Sequence, residues 1–87
     1  MNLCIELGKI INEPQFDFLY KSKRISIAYF NMELINKSNI KVFAYDEKAD
    51  YIYRRLRVGD SICIEGEIRI LNYNLEIEAR KIYKIRL

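Results

Sequence analysis

The side chains available for catalysis or binding are of few kinds. The 87 residues include seven tyrosines, four phenylalanines, two cysteines and fifteen lysines or arginines, with no histidine and no tryptophan. Lacking histidine, the chain has no catalytic triad and no histidine metal site. Cys4 and Cys63 alone are too few for a zinc cluster. Both fall inside expected strands and read as reduced core thiols rather than a disulfide. No nucleophile–base pair is apparent, so no catalytic residue, metal ligand or cofactor is assigned and the chain is read as a non-enzyme. What remains is aromatic rings and cations. Lys41, Phe43 and Tyr45 share one parity of a short run, opposite Ile40, Val42 and Ala44. Lys21, Lys23 and Arg24 cluster at a turn, with Lys37 similar. Solvated charge is the ordinary reading of such a cluster, and phosphate contact the functional one.

The elements that must position these residues follow from periodicity. Val58 to Ile70 is the organising stretch, with Ile62, Ile64, Ile68 and Ile70 on one parity and Cys63, Glu65, Glu67 and Arg69 on the other. That is a strand with one buried face. Gly66 breaks the apolar side where a sharp coil, a bulge or close packing is expected. Leu3 to Ile11 is a first strand, and Phe16, Phe18 and Tyr20 alternate as a continuation of the sheet. Ile25 to Leu34 is a second strand, whose phase change between Ile27 and Ala28 suggests a bulge. Tyr29 and Asn31 then face outward. Ile40 to Tyr45 is a third strand. Asp46 is an expected N-cap for a helix to about Leu56, with Ala49, Ile52, Tyr53 and Leu56 on its inner face and Arg54, Arg55 and Arg57 at its end. Leu71-Asn72-Tyr73-Asn74 is a tight hairpin loop before a last strand, Leu75 to Tyr83. Three strands, a helix and two more strands form the order of a mostly β, five-stranded OB-fold Greek-key barrel.

Composition sets bounds on the partners. Net charge is +3, with 31% charged residues and a pI near 8.9. This is compatible with a nucleic-acid or anionic-surface partner without requiring one. No run approaches the ~20 apolar residues of a membrane span, and no signal peptide is apparent, so a soluble intracellular protein is expected. An 87-residue chain is one small domain, for which a partner subunit is often useful.

In this order the sequence resembles the bacterial-type single-stranded DNA-binding (SSB) proteins and their primosomal and plastid single-domain forms. The resemblance is carried by Asn2-Leu3 through Gly8-Lys9-Ile10, Glu13-Pro14, Ile27 to Met32, Val42-Phe43-Ala44-Tyr45, Lys48-Ala49, Tyr53 to Leu56, and Val58-Gly59-Asp60 through Arg69. It implies non-catalytic, sequence-independent binding of single-stranded DNA in replication, recombination or repair, because aromatic faces stack on any base. Tyr45 and Tyr73 fall at stacking positions, and Lys41 and Arg69 at basic ones. Phe43 either joins that face or lies under the helix. Tyr29, Lys21 and Lys23 complete the candidate nucleic-acid contacts. Leu3, Ile5 and Leu7 are either core or, as the resemblance implies, the interface of a homodimer or homotetramer. A cytoplasmic, nucleoid-associated or organellar-stroma location is implied, with replication or mobile-element proteins as further partners.

The sequence also departs from the family. Asn39 stands where tryptophan is usual, a tryptophan-bearing loop is shortened, and Glu47, Val58, Leu71 and Asn72 replace common contacts. The expected single domain, 1–87, has no disordered tail with an acidic tip. An acidic band, Glu65, Glu67, Glu76 and Glu78, on the outward parity of the last two strands argues against DNA covering that surface, with cross-strand pairing to Arg69, Arg80 and Lys81 as the other reading. The competing expectation is an OB-fold interaction or accessory module that has lost most DNA binding.

Overall fold

A computed structural model describes residues 3–20 and 24–86. Its elements are β1 (Leu3–Ile10), β2 (Gln15–Tyr20), β3 (Arg24–Leu34), β4 (Asn39–Tyr45), α1 (Asp46–Arg55), β5 (Ser61–Leu71) and β6 (Asn74–Lys84). Hydrogen bonding runs β1–β5–β6–β4–β3 and returns from β3 to β1, closing a five-stranded barrel of OB type. The β4–β6 pair is parallel and the others are antiparallel. The Phe16–Phe18 segment is a sixth strand, paired with β3 from Gln15↔Tyr29 to Tyr20↔Arg24.

Closure depends on β3 changing partners along one edge. Its first half pairs with β2, while Met32–Leu34 pair with Gly8–Ile10 of β1. A Cβ at Gly8 would collide with the Glu33 carbonyl oxygen and the Met32 side chain, so only glycine lets the two strands come this close. Gly66 serves the same purpose on the opposite wall, where a Cβ would strike the Glu78 carbonyl oxygen and Ile77. There the β5–β6 ladder slips, with Glu65 facing Lys81 and Gly66 facing Ala79. Arg80 is the extra residue of that bulge. The bulge expected at Ile27–Ala28 is not formed, because β3 keeps unbroken register with β4 from Ile27↔Tyr45 to Glu33↔Asn39. Ile25 and Ile27 belong to the outer face, where they are half-buried.

Phe30, Met32, Val42, Ile62, Ile64 and Ile77 fill the barrel, and α1 closes one end with Ala49, Ile52 and Leu56. Burial of Ile52 and Leu56 contributes ~1.5–3 kcal/mol each. Tyr53 is exposed instead, its ring 5.2 Å from that of Phe16. The helix begins differently from expectation. Tyr45 is the N-cap, without a side-chain cap bond, and Asp46 has φ 53°, a left-handed conformation that Asp tolerates better than most residues. The Asp46 carboxylate accepts instead from the Ser26 N–H at 3.4 Å. At the other end Arg57 donates to the carbonyls of Leu56 and Tyr53, and Arg54 pairs with Asp50. Arg57 therefore serves the helix end as expected, with Arg54 and Arg55 in the last turn.

The core assignment of Cys63 is corrected, and the core alternative for Leu3, Ile5 and Leu7 does not hold. Leu3, Ile5 and Leu7 point out of the barrel and are 57%, 62% and 44% exposed. Cys63 shares their face, opposite Leu7, whereas Cys4 is turned inward and packs against the core. Burial, more than the neighbouring Glu6, pushes the Cys4 thiol pKa up. Both thiols are free.

Candidate nucleic-acid interface

Strand register arranges the outward side chains into rows across the sheet. One row runs Asn31, Lys41, Glu76 and Arg69 through β3, β4, β6 and β5. The next runs Tyr29, Phe43, Glu78 and Glu67, and a third begins Ile27, Tyr45. Four expected contact residues, Tyr29, Lys41, Phe43 and Tyr45, are therefore neighbours on β3 and β4. Lys41 places its Nζ 4.7 Å from the Tyr29 ring centroid. Such a cation–π contact is worth ~0.5–1 kcal/mol at an exposed site and presents the ammonium beside an aromatic surface. Phe43 does not offer a face: it is 5% exposed and meets the Tyr45 ring edge to face. Tyr45 is the open ring of the pair.

Arg69 is on the same sheet face but is engaged. Its guanidinium donates to Glu78 at 2.8 and 3.1 Å and to Glu67 at 2.7 Å. Arg80, carried outward by the bulge, pairs with both carboxylates as well. Glu67 and Glu78 of the acidic band thus pair across strands, and Lys81 stands 4.0 Å from Glu65. Hydrogen bonding from Arg80 comes first in holding the Glu67 pKa below the usual carboxylate value, and the bond to Glu78 raises that of Arg69. An incoming phosphate must compete with two carboxylates for Arg69, whereas Lys41 faces Glu76 without a direct ion pair among the described residues.

Tyr73 stands apart at the tip of the β5–β6 hairpin, fully exposed. Asn72 and Tyr73 have φ of 51° and 67°, with Leu71 paired to Asn74, as in a two-residue type I′ turn. A large side chain at positive φ is strained, and Gly is the usual occupant of this position. The hairpin overruns the barrel, since among the described residues β4 meets β6 only at Glu76–Glu78. Ile70 and Leu75 are consequently 72% and 56% exposed despite their inward parity. Lys21 and Lys23 lie outside the described residues.

Sequence reasoning did not single out Ile35, which is 81% exposed and lines a depression with Ile5, Leu7 and Leu34. Its place beside a polar loop hid it. Tyr51 and Tyr83 were likewise passed over, since neither follows the strand alternation of the stacking face. Among the described residues, no cluster of three or more potential metal-ligating side chains occurs, and no helix is long and apolar enough to cross a membrane.

No family profile matches the sequence, and no curated protein matches it. Solved structures do. The SSB domain of a Synechococcus protein superposes with a TM-score of 0.88 at 21% identity, over 95% of this chain and 94% of that one. The small single-stranded DNA-binding protein of Streptomyces coelicolor gives 0.75 at 18%, over 98% and 94%. The single-stranded DNA-binding protein of Thermus aquaticus gives 0.85 at 19%, with all of this chain covering 41% of that longer one. A replication protein A OB-fold domain from Methanococcus maripaludis gives 0.79 at 14%, over 95% and 83%. The chain has an SSB-like OB-fold.

Proposed function

We propose that the chain binds single-stranded DNA without regard to sequence, wherever replication, recombination or repair exposes it. The observation that carries this reading is the open Tyr45 ring, braced by Phe43, on the same strand face as Lys41, whose ammonium lies over Tyr29. Bases stack on Tyr45 and on the projecting Tyr73, and Lys41 holds phosphate between them. Arg69 adds a second phosphate contact only by exchanging its carboxylate partners. Lys21 and Lys23, which fall in sequence between β2 and β3, are assigned to the backbone path by charge alone. The likeness to SSB domains supports this reading through the shared fold. Unchanged oligo-dT affinity in a chain carrying both Tyr45→Ala and Tyr73→Ala would remove this face from consideration.

The same proposal includes self-association through β1. Among the described residues, Leu3–Leu7 pair with β5 along one edge, while β3 takes only Gly8–Ile10 on the other. An open strand edge carrying exposed Leu3, Ile5 and Leu7, with Ile35 nearby, suits a second copy's β1. Sedimentation should show a homo-oligomer that Ile5→Asp converts to monomer. A wild-type chain that is monomeric at tens of micromolar contradicts the assignment.

A further inference from the structure

A groove of about 270 Å³ lies between the first turns of α1 and the second half of β6. Tyr51 and Tyr83 line it and are 38% and 51% exposed. Lys48, Arg80 and Lys81 set three cations around it against one carboxylate, Glu47. Arg80 is already held by Glu67 and Glu78, while Lys81 stands 4.0 Å from Glu65, a loose pair that water weakens. Lys48 and Lys81 are therefore the cations free to meet an anion. The volume falls below the ~300–1,000 Å³ of a drug-sized site, so one ring system fits and a large ligand does not.

The groove continues the aromatic row. Tyr45 ends β4 and is the N-cap of α1, three residues before Lys48. Since β6 runs parallel to β4, with Glu78 beside Phe43, its next outward residue, Arg80, comes level with the end of β4. A strand leaving Tyr45 in the direction of β4 thus enters the groove. We propose that the groove takes a further nucleotide of the same single strand, its base against Tyr51 and Tyr83 and its phosphate held by Lys48 and Lys81. This extension rests on the single-strand binding proposed above.

The test uses the whole chain with dT oligomers of about 4 and about 16 nucleotides, the short and long ends of OB-fold site sizes. The groove variant combines Lys48→Glu with Tyr51→Ala, both exposed positions. Arg55→Glu, on the same helix but outside the groove, matches the charge change. The groove variant should lose about tenfold or more in affinity for the long oligomer, while the short one changes less than about twofold. Its salt dependence on the long oligomer should fall by about one ion. Equal losses at both lengths, no loss at either, or an equal effect from Arg55→Glu would overturn the proposal. If the wild-type chain binds neither oligomer, single-strand binding itself fails and the extension with it. If the wild type binds and the groove variant behaves like it, only the extension fails.

Discussion

Phe43 and Tyr45, two residues apart on β4, meet edge to face with 5.7 Å between ring centroids, one buried and the other 39% exposed. The buried ring limits where the open one can go. A stacking platform gains from such restraint, because less rotamer freedom is lost when a base arrives.

Tyr45→Ala should therefore weaken oligo-dT binding by roughly 5- to 150-fold, the equivalent of ~1–3 kcal/mol per stacked base. Phe43→Leu should weaken it less, through loosened positioning rather than a lost contact. Titrations of both variants check this ordering. A larger loss from Phe43→Leu would mean that Phe43, not Tyr45, carries the stacking.

Tyr73 separates stability from binding. Glycine relieves the positive-φ strain at the hairpin tip. Tyr73→Gly should raise the melting temperature by several degrees, consistent with ~1 kcal/mol in a domain of this size, while lowering oligo-dT affinity. A variant that is more stable and binds as well as wild type would leave Tyr73 without a role in binding.

The Glu67 carboxylate links the arginine network to acid stability. Its pKa is depressed in the fold, first by the hydrogen bond from Arg80, from an ordinary value of 4.5. A depressed carboxylate contributes fully above its unfolded value and loses that contribution as pH falls through its lower folded value. The melting temperature should hold from neutrality to about pH 5 and decline below it, with Glu67→Gln flattening part of that decline. Melting curves from pH 7 to 3 decide the point. A Glu67-dependent transition near neutrality would contradict the assignment.

The sequence made the barrel legible because its signals were local. Gly66 interrupts an isoleucine row, Asn72 sits where a turn is needed, and the helix face repeats at Ala49, Ile52 and Leu56. The expected bulge failed because the apolar Ile25 and Ile27 looked inward by type, although β4 and β2 hold them on the outer face. The site was only half legible. Parity placed Lys41, Phe43 and Tyr45 in one row, but exposure depends on partners distant in sequence: Phe43 is covered, and Arg69 is tied to Glu78 nine residues later. The groove beyond Tyr45 is built from a helix and a strand that β5 separates in sequence, and periodicity within either one does not reveal it.

Fluorescence anisotropy of labelled oligo-dT, titrated with the wild-type chain at low and moderate salt, decides whether the chain binds single strands. Saturable binding that weakens steadily as salt rises is expected, since phosphate contacts release counterions. No binding at tens of micromolar in low salt, or an affinity indifferent to salt, would contradict it.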